Sequence, residues 1–545
     1  MRRCEALACA TSPRYKGGVR TSVRPKGPSP AELTIFRLLV ASVAEEMGAV
    51  LQRAAFSPNI KERRDFSCAV FDPDGELVAQ AAHIPVHLGA ASLSVKAVTR
   101  AVALGPGDAA LVNDPYAGGT HLPDLTLVSP VFLGRTRVGY VANRAHHADI
   151  GGEGPASMAL ASSVEQEGIR IPPTRILRRG RLLGGTVKRL FGALPTFDER
   201  VGDLEAQLAA NAIGATRLSA LVERIGLRSF RASCDAQNAY AERLMRDAVA
   251  RLPRGRFSFE DLLDDDGLGR VGLAIRCTVA RSRAGLTLDF TGTSPQVSGP
   301  LNCVMPITLA AVAYAVRCLV PADAPECAGM LRPLKVIAPQ GTLVNALPPA
   351  AVAGGNVETS QRITDVVLGA LAQADPGRMA AASQGTMNNV AIAGVDPRSG
   401  RAFAYYETLG GGEGASRDHP GASAIQLHMT NTLNTPAEVI ERAYPLRIDA
   451  LAVRRGSGGE GAFRGGDGLL RCYRFLAPAR VALLTERRRR GPWGLAGGGA
   501  GKPGRNVLVR DGRPRVLPGK CELDVLPGDV LRIEAPGGGG YGPRR

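Results

Sequence analysis

NDPYAGGTHLPDLTLVSPVFLGRTRVGYVANRAHHADIGG, residues 113–152, sets two apolar runs between loops crowded with histidine, aspartate and glycine. The runs 125–132 and 138–142 are short and apolar, and they read as a pair of strand candidates. His121-x-x-Asp124 precedes the pair and His146-x-x-Asp149 follows it. The chain has only seven histidines, and five of them, at 83, 87, 121, 146 and 147, fall within this neighbourhood. A divalent cation needs imidazole nitrogens and anionic oxygens that converge, and glycine-flanked strand ends allow that approach. Mixed nitrogen and oxygen donors suit manganese, zinc or iron, and the lack of nearby thiolates argues against a closed structural zinc site. A single H-x-x-D would ordinarily be a turn aspartate beside a hydrogen-bonded histidine; two copies around one strand pair favour metal. His83 and His87 have no adjacent carboxylate and read as core or supporting residues. His146 and His147 point to opposite sides if extended, so one should ligate and the other support.

Outward from this segment, Ser29-Pro30-Ala31-Glu32 combines a capping box with proline at the first helical position and predicts a helix to about residue 56. Residues 66–71 and 77–80 flank Asp72-Pro73-Asp74-Gly75 and predict a hairpin. Residues 109–112 and 285–290 are further strand candidates. Helices are expected at 202–221, 236–252, 307–320 and 359–374. The fold class is α+β, a large mixed chain with glycine-rich loops. Composition shifts divide it into a loose basic extension at 1–28, an α/β metal-site domain at 29–200, a helical and β region at 201–345, and a glycine-rich α/β domain at 346–545.

With 545 residues and 45% hydrophobic content, the chain can bury a large core. The net charge of +17 raises the question of nucleic acid, but the basic groups are scattered and aromatics make up only 5%, so no nucleic-acid partner is expected. Arg487-Arg488-Arg489-Arg490 reads as solvated surface charge or attraction for anionic ligands. Ten scattered cysteines without a CxxC fit a reduced, cytoplasmic protein. The longest apolar run, 307–316, stops at Arg317 and is too short for a bilayer, so no membrane partner is expected. The nearest approach to a phosphate loop ends Gly501-Lys502-Pro503, which lacks the hydroxyl residue that reaches magnesium. Two glycine-rich segments remain as candidate loops, one around Glu358 at a helix start and one after Glu407. Each is either an active-site loop or a tight turn required by packing.

The segments 113–132 and 142–152 resemble signature stretches of the hydantoinase B/5-oxoprolinase family. SPNIKERRDFSCAVFDPDGELVAQ (57–80), DFTGTSPQVSGPLN (289–302), GGNVETSQRITDVVLGAL (354–371), HMTNTLNTP (428–436) and LLTERRRRGPWGLAGG (483–498) extend the likeness, in order, from about residue 30 to the end. LPTFDERVGD before the GDL-x-AQ element and Cys327 to Gly329 depart from the family pattern. The resemblance implies a B-type subunit in a hetero-oligomer with a hydantoinase A-type, actin-like ATPase subunit that uses ATP to phosphorylate the substrate carbonyl. It also places a metal on His121, Asp124 and His146, with Asp149 matching a fourth acidic position; the chain itself is expected to hold no nucleotide cofactor.

The expected reaction is the ATP-dependent opening of a small cyclic amide, 5-oxoproline or a hydantoin. Amide resonance stabilises the ring, and phosphorylating its carbonyl oxygen makes the carbon open to water. Asp114 or Asp149 would orient that water as general base, on proximity in sequence alone. His147, Glu358 and Glu407 are the candidates for substrate contact. Two alternatives compete: a subunit of an acetone- or acetophenone-type carboxylase, and a non-enzymatic basic nucleic-acid-binding protein.

Overall fold

The computed structural model describes residues 27–81, 84–87 and 89–544. The readings of the first 26 residues and of His83 lie outside the described residues. The Ser29 capping box forms as the sequence predicts: Ser29 Oγ accepts from the Glu32 amide while the Glu32 carboxylate accepts from the Ser29 amide. It opens a helix over Pro30–Ala54 whose stripe Phe36, Val40, Val43, Met47 and Leu51 is buried.

That helix covers one face of a seven-stranded sheet built from β1 (Phe66–Phe71), β2 (Leu77–Ala81), β3 (Ala109–Val112), β4 (Asp124–Leu133), β5 (Thr136–His146), β6 (Thr174–Arg178) and β7 (Arg181–Leu182), in the order β2-β1-β5-β4-β3-β6-β7. A second long helix, Phe197–Ile225, lies on the same face, and Val141 and Ala145 of β5 point into the core between them. Tyr140 and Ala142 point the other way, toward Val95 and Val98 of the helix Ala90–Ala101. With both faces covered, β5 is buried from Val138 onward.

A second sheet contains β8 (Gly255–Asp265), β9 (Val271–Arg281), β10 (Leu286–Asp289) and β11 (Leu334–Ile337) in the order β11-β10-β9-β8. The glycine-rich C-terminal part is mostly strand: β12 (Asn389–Asp396), β13 (Arg401–Glu407), β14 (Leu446–Arg454), β15 (Gly468–Phe475), β16 (Ala479–Leu484), β17 (Arg505–Arg510), β18 (Arg513–Leu517), β19 (Lys520–Val525) and β20 (Val530–Glu534). They form two sheets, β13-β12-β16-β19 and β14-β15-β20-β17-β18. Between these sheets lies a core containing Val390, Tyr405, Tyr473, Val481 and Ile533. The glycine loops that connect them interlock backbone to backbone: the Gly412 amide donates to the Pro536 carbonyl, Gly459 to Gly538 and Gly539 to Ala382.

Helix and strand thus mix as an α+β fold. The largest core runs from Ile84 through Leu127, Leu288, Ile307 and Ile363 to Leu484, and so draws on all three of the segments 29–200, 201–345 and 346–545. Among the described residues no helix is long and apolar enough to cross a membrane.

One reading of the sequence is corrected. Arg487 does not belong to a solvated basic run: its side chain is buried, 2.7 Å from both Asp261 and Asp365, while Arg489 and Arg490 are exposed. Arg488 is half-buried and donates to Asn506 and Asn388, and four consecutive arginines carry no periodicity by which the inward pair could be told from the others.

Candidate metal centre

The structure runs β5 four residues beyond the predicted end at residue 142, and this extension makes the site. Asn143 and Arg144 look unsuited to a buried strand, yet each finds polar partners. The Asn143 side-chain amide donates to the Gln207 carbonyl and to Asn211 Oδ1, and accepts from the Gln207 amide. Arg144 donates to Thr126 and Ser94. Satisfied in this way, the strand continues to His146, which pairs in register with Asp124, the first residue of β4. His121 lies one turn earlier, its carbonyl accepting from the Asp124 amide at 3.2 Å. The glycine before it is required: a Cβ on Gly119 would stand 2.4 Å from the Asn113 carbonyl oxygen.

These three side chains converge, each offering one donor atom within 4.8 Å of the others. Asp124 Oδ1 is 3.1 Å from His121 Nε2 and 3.3 Å from His146 Nδ1. All three residues are buried, His121 at 0%, Asp124 at 1% and His146 at 3% exposure. Both ring nitrogens of His121 and Nε2 of His146 have no hydrogen-bond partner despite this burial. The close His121–Asp124 approach is therefore a contact without hydrogen-bond direction. Buried polar atoms left unpaired are costly, and a divalent cation would satisfy several at once. Burial works to raise the Asp124 carboxyl, but the His121 and His87 rings beside it hold it well below the usual carboxylate range. The pocket thus offers a carboxylate and imidazole nitrogens as donors, a fit for manganese, zinc or iron, and no cysteine belongs to the group among the described residues.

His147 lies on the other side of the strand, as alternation requires. Its Nε2 is 3.0 Å from Gln207 Oε1, and burial, then nearby Arg200, lowers its pKa to about 4. Asp114 and Asp149 are not in the converging group. The Asp114 carboxylate accepts from the Tyr116 amide and faces Arg170 at 3.2 Å. That of Asp149 accepts from the Gly151 amide and the Ser157 hydroxyl. Both are carboxylates of local turns in this geometry.

Glu407 is also engaged: it accepts from Asn434, the Thr435 amide and the Tyr473 hydroxyl, and pairs with Arg471 at 3.3 Å. Glu358 stands in the turn Gly355–Thr359, ahead of the helix Ser360–Ala374. A Cβ on Gly355 would meet the Asn302 carbonyl at 1.9 Å, so this glycine is demanded by packing. Glu358 connects to the metal pocket through two side chains. Its Oε1 accepts from Asn389 at 2.6 Å, Asn389 accepts from the Tyr406 hydroxyl at 2.6 Å, and the Tyr406 ring stacks on His146 with centroids 4.8 Å apart. Burial, and then the Glu486 carboxylate, pushes the Glu358 carboxyl up to about 8.

Sequence reasoning missed Tyr406. It belongs to β13, 260 positions from His146, and an aromatic in a strand carries no local sign of such a contact. It also missed how Thr120 binds Asp124, with its hydroxyl 2.7 Å from Oδ2.

Fold and site together define an α+β protein with a buried histidine–aspartate–histidine donor set at the open end of a strand hairpin. The model of the family Hydantoinase B/oxoprolinase matches residues 29–544, and the chain belongs to this family. It is 40% identical to an uncharacterised protein of Methanocaldococcus jannaschii, over 92% of this chain and 88% of that one. It is 39% identical to 5-oxoprolinase 1 of Arabidopsis thaliana, over 94% of this chain; there it spans 42% of the relative's length, less than half of that longer protein. The B component of a putative D-/L-hydantoinase of a Pseudomonas species is 31% identical, with 92% of this chain and 88% of that one covered. Among solved structures, the ATP-dependent caprolactamase from Pseudomonas jessenii superposes with a TM-score of 0.88 at 27% identity, covering 95% of this chain and 92% of that chain. Acetone carboxylase shares the fold, with a TM-score of 0.86 at 16% identity over 95% of this chain and 76% of that chain.

Proposed function

We propose that this chain is the metal-bearing B-type subunit of an ATP-dependent cyclic amidohydrolase that opens 5-oxoproline or hydantoin-type rings. The observation that carries the reading is the convergence of His121, Asp124 and His146 with three unpartnered ring nitrogens in a buried pocket. Relatives named 5-oxoprolinase, a hydantoinase component and a caprolactamase support amide-ring opening as the chemistry. The likeness to acetone carboxylase, at 16% identity, concerns the fold, so hydrolysis is favoured over carboxylation.

Bound here, a divalent cation would supply Lewis acidity to a substrate oxygen or to the attacking water. The residues of the chain would hold that centre rigidly. Asp124 contributes the negative charge, with Oδ2 fixed by Thr120 and Oδ1 left toward the two rings. His146 is fixed from two directions, by the Tyr406 ring against its face and by Asn59, whose side chain donates to the His146 carbonyl at 2.7 Å. Three protein donors leave coordination positions for reactant and water. Glu358, half-charged near pH 8 and joined to the pocket through Asn389 and Tyr406, is the candidate to exchange protons at the edge of the site. His147 and Glu407, held by Gln207 and by Arg471 with Tyr473, support the walls around it.

Activation of the carbonyl by ATP is assigned to a separate actin-like ATPase subunit, in a cytoplasmic hetero-oligomer. The test is reconstitution with such a subunit and manganese. ATP-dependent ring opening of 5-oxoproline or hydantoin, lost in His121→Ala, is the expected result. ATP-dependent bicarbonate incorporation into a ketone without ring opening would replace this reading by a carboxylase. Full activity in His121→Ala would remove the metal-centred mechanism.

A further inference from the structure

Asp124 has two carboxylate oxygens, and the structure treats them differently. Oδ1 faces His121 and His146. Oδ2 receives the Thr120 hydroxyl at 2.7 Å and faces His87 Nε2 at 3.4 Å. His87 is buried, at 2% exposure, in the short helical turn Pro85–His87. It is outside the converging donor set, so it reaches only the far oxygen of the carboxylate.

The other nitrogen of His87 is held as well. Nδ1 lies 2.9 Å from Ser67 Oγ on β1. Ser67 Oγ also accepts from the Ile84 amide at 3.4 Å, and its hydroxyl hydrogen is able to donate to Nδ1. When Ser67 donates to Nδ1 of the neutral ring, the ring hydrogen is on Nε2, the nitrogen that faces Asp124 Oδ2 at 3.4 Å. In that tautomer the Ile84 amide, Ser67 hydroxyl, His87 ring and Asp124 carboxylate share one donor sense.

We infer that His87 is a positioning residue for the metal centre: with Thr120 it ties down Oδ2, so that Asp124 offers the single oxygen Oδ1 to the cation. This rests on the metal reading given above and adds the residue that orients its anionic ligand. Outer groups that hold a ligand in place typically change metal affinity about 10- to 100-fold when removed.

The full chain is stripped of metal and titrated with Mn²⁺ against a competing chelator, with the electron paramagnetic resonance spectrum recorded at saturation. His87→Ala is expected to weaken Mn²⁺ affinity by about 10- to 100-fold and to alter the spectrum. His87→Gln, whose side-chain amide can donate from the place of Nε2, should recover most of the affinity. Ser67→Ala should weaken it in the same direction and less. Circular dichroism melting of the metal-free variants separates loss of fold from loss of metal; if His87→Ala does not fold, the other two variants decide. Wild-type affinity and spectrum in His87→Ala, or in both His87→Gln and Ser67→Ala with no folded His87→Ala to compare, would overturn the inference. A folded His87→Gln no better than His87→Ala would do the same, reducing the ring to packing. Failure of the wild-type chain to bind Mn²⁺, Zn²⁺ or Fe²⁺ would instead overturn the metal reading itself.

Discussion

The His121–Asp124–His146 group and the ion network around Arg487 are equally buried, yet their polar atoms are disposed in opposite ways. In the network every charge meets a counter-charge. Arg487 pairs with Asp261 and Asp365, Lys520 with Glu486 at 2.6 Å, and Arg362 with Glu486 at 3.5 Å. In the metal pocket one carboxylate faces three imidazoles, and both nitrogens of His121 and Nε2 of His146 find nothing to bind. The first arrangement joins β8, the helix Ser360–Ala374 and the segment after β16 by neutralising their charges. The second leaves buried ring nitrogens without a partner. A buried cluster is thus a fastener when its formal charges are matched, and a candidate site when ring nitrogens gathered around a single carboxylate are left unpartnered.

Changes in the two clusters should therefore fail differently. The largest effect is expected from Asp124→Asn, which removes the only anion of the donor set. Metal affinity measured by chelator competition should fall by more than the roughly 100-fold of an outer-group change, and ring-opening activity should fall with it. Arg487→Ala should do the reverse. Leaving buried Asp261 and Asp365 to the more distant Arg362, at 3.6 and 3.9 Å, should cost up to about 3–5 kcal/mol of unfolding free energy in urea, while the folded fraction keeps its metal affinity. If Arg487→Ala lost metal at unchanged stability, the contrast between fastener and site would break.

Glu358 stands between the clusters, bonded toward Tyr406 through Asn389 and repelled by Glu486. Glu167 is a second buried carboxyl, pushed up to about 8 by burial although the Ala353 and Val352 amides oppose the shift. Both are raised from an ordinary 4.5, so between about pH 4.5 and 8 the folded chain binds more protons than the unfolded one. Their contribution to stability is full below pH 4.5 and is lost as the pH rises through 8. Melting midpoints should accordingly decline across that window because of these two groups. The double variant Glu167→Gln, Glu358→Gln should flatten the decline, and an unchanged slope would show that neither is protonated in the fold. The smallest effect is expected at the exposed end of the arginine run, where Arg489→Ala and Arg490→Ala should each stay within about 0.5 kcal/mol in the same urea measurement.

Much of the first sheet could be read from the chain because its signals are local. Ser29 and Glu32 cap a helix within four residues, and Asp72-Pro73-Asp74-Gly75 makes a hairpin turn whatever lies around it. The convergence of His121, Asp124 and His146 was legible for the same reason, since one hairpin pairs strand ends that flank it closely in sequence. The β-rich C-terminal part was less so. Its strands are short and separated by glycine loops, and β15 pairs with β20 across more than fifty residues.

The sequence by itself determined the α+β character, the leading helix and the hairpin, because caps, turns and strand runs act over a few residues, while the family likeness singled out His121, Asp124 and His146 within the histidine and aspartate cluster. Only the tertiary structure decided that Tyr406 lies on His146, that Arg487 turns inward, and that Asp114 and Asp149 serve local turns. It also set His87 against the far oxygen of Asp124. Each of these depends on which surfaces meet when distant segments bury one another, and neither hydrophobic periodicity nor residue type encodes that meeting locally.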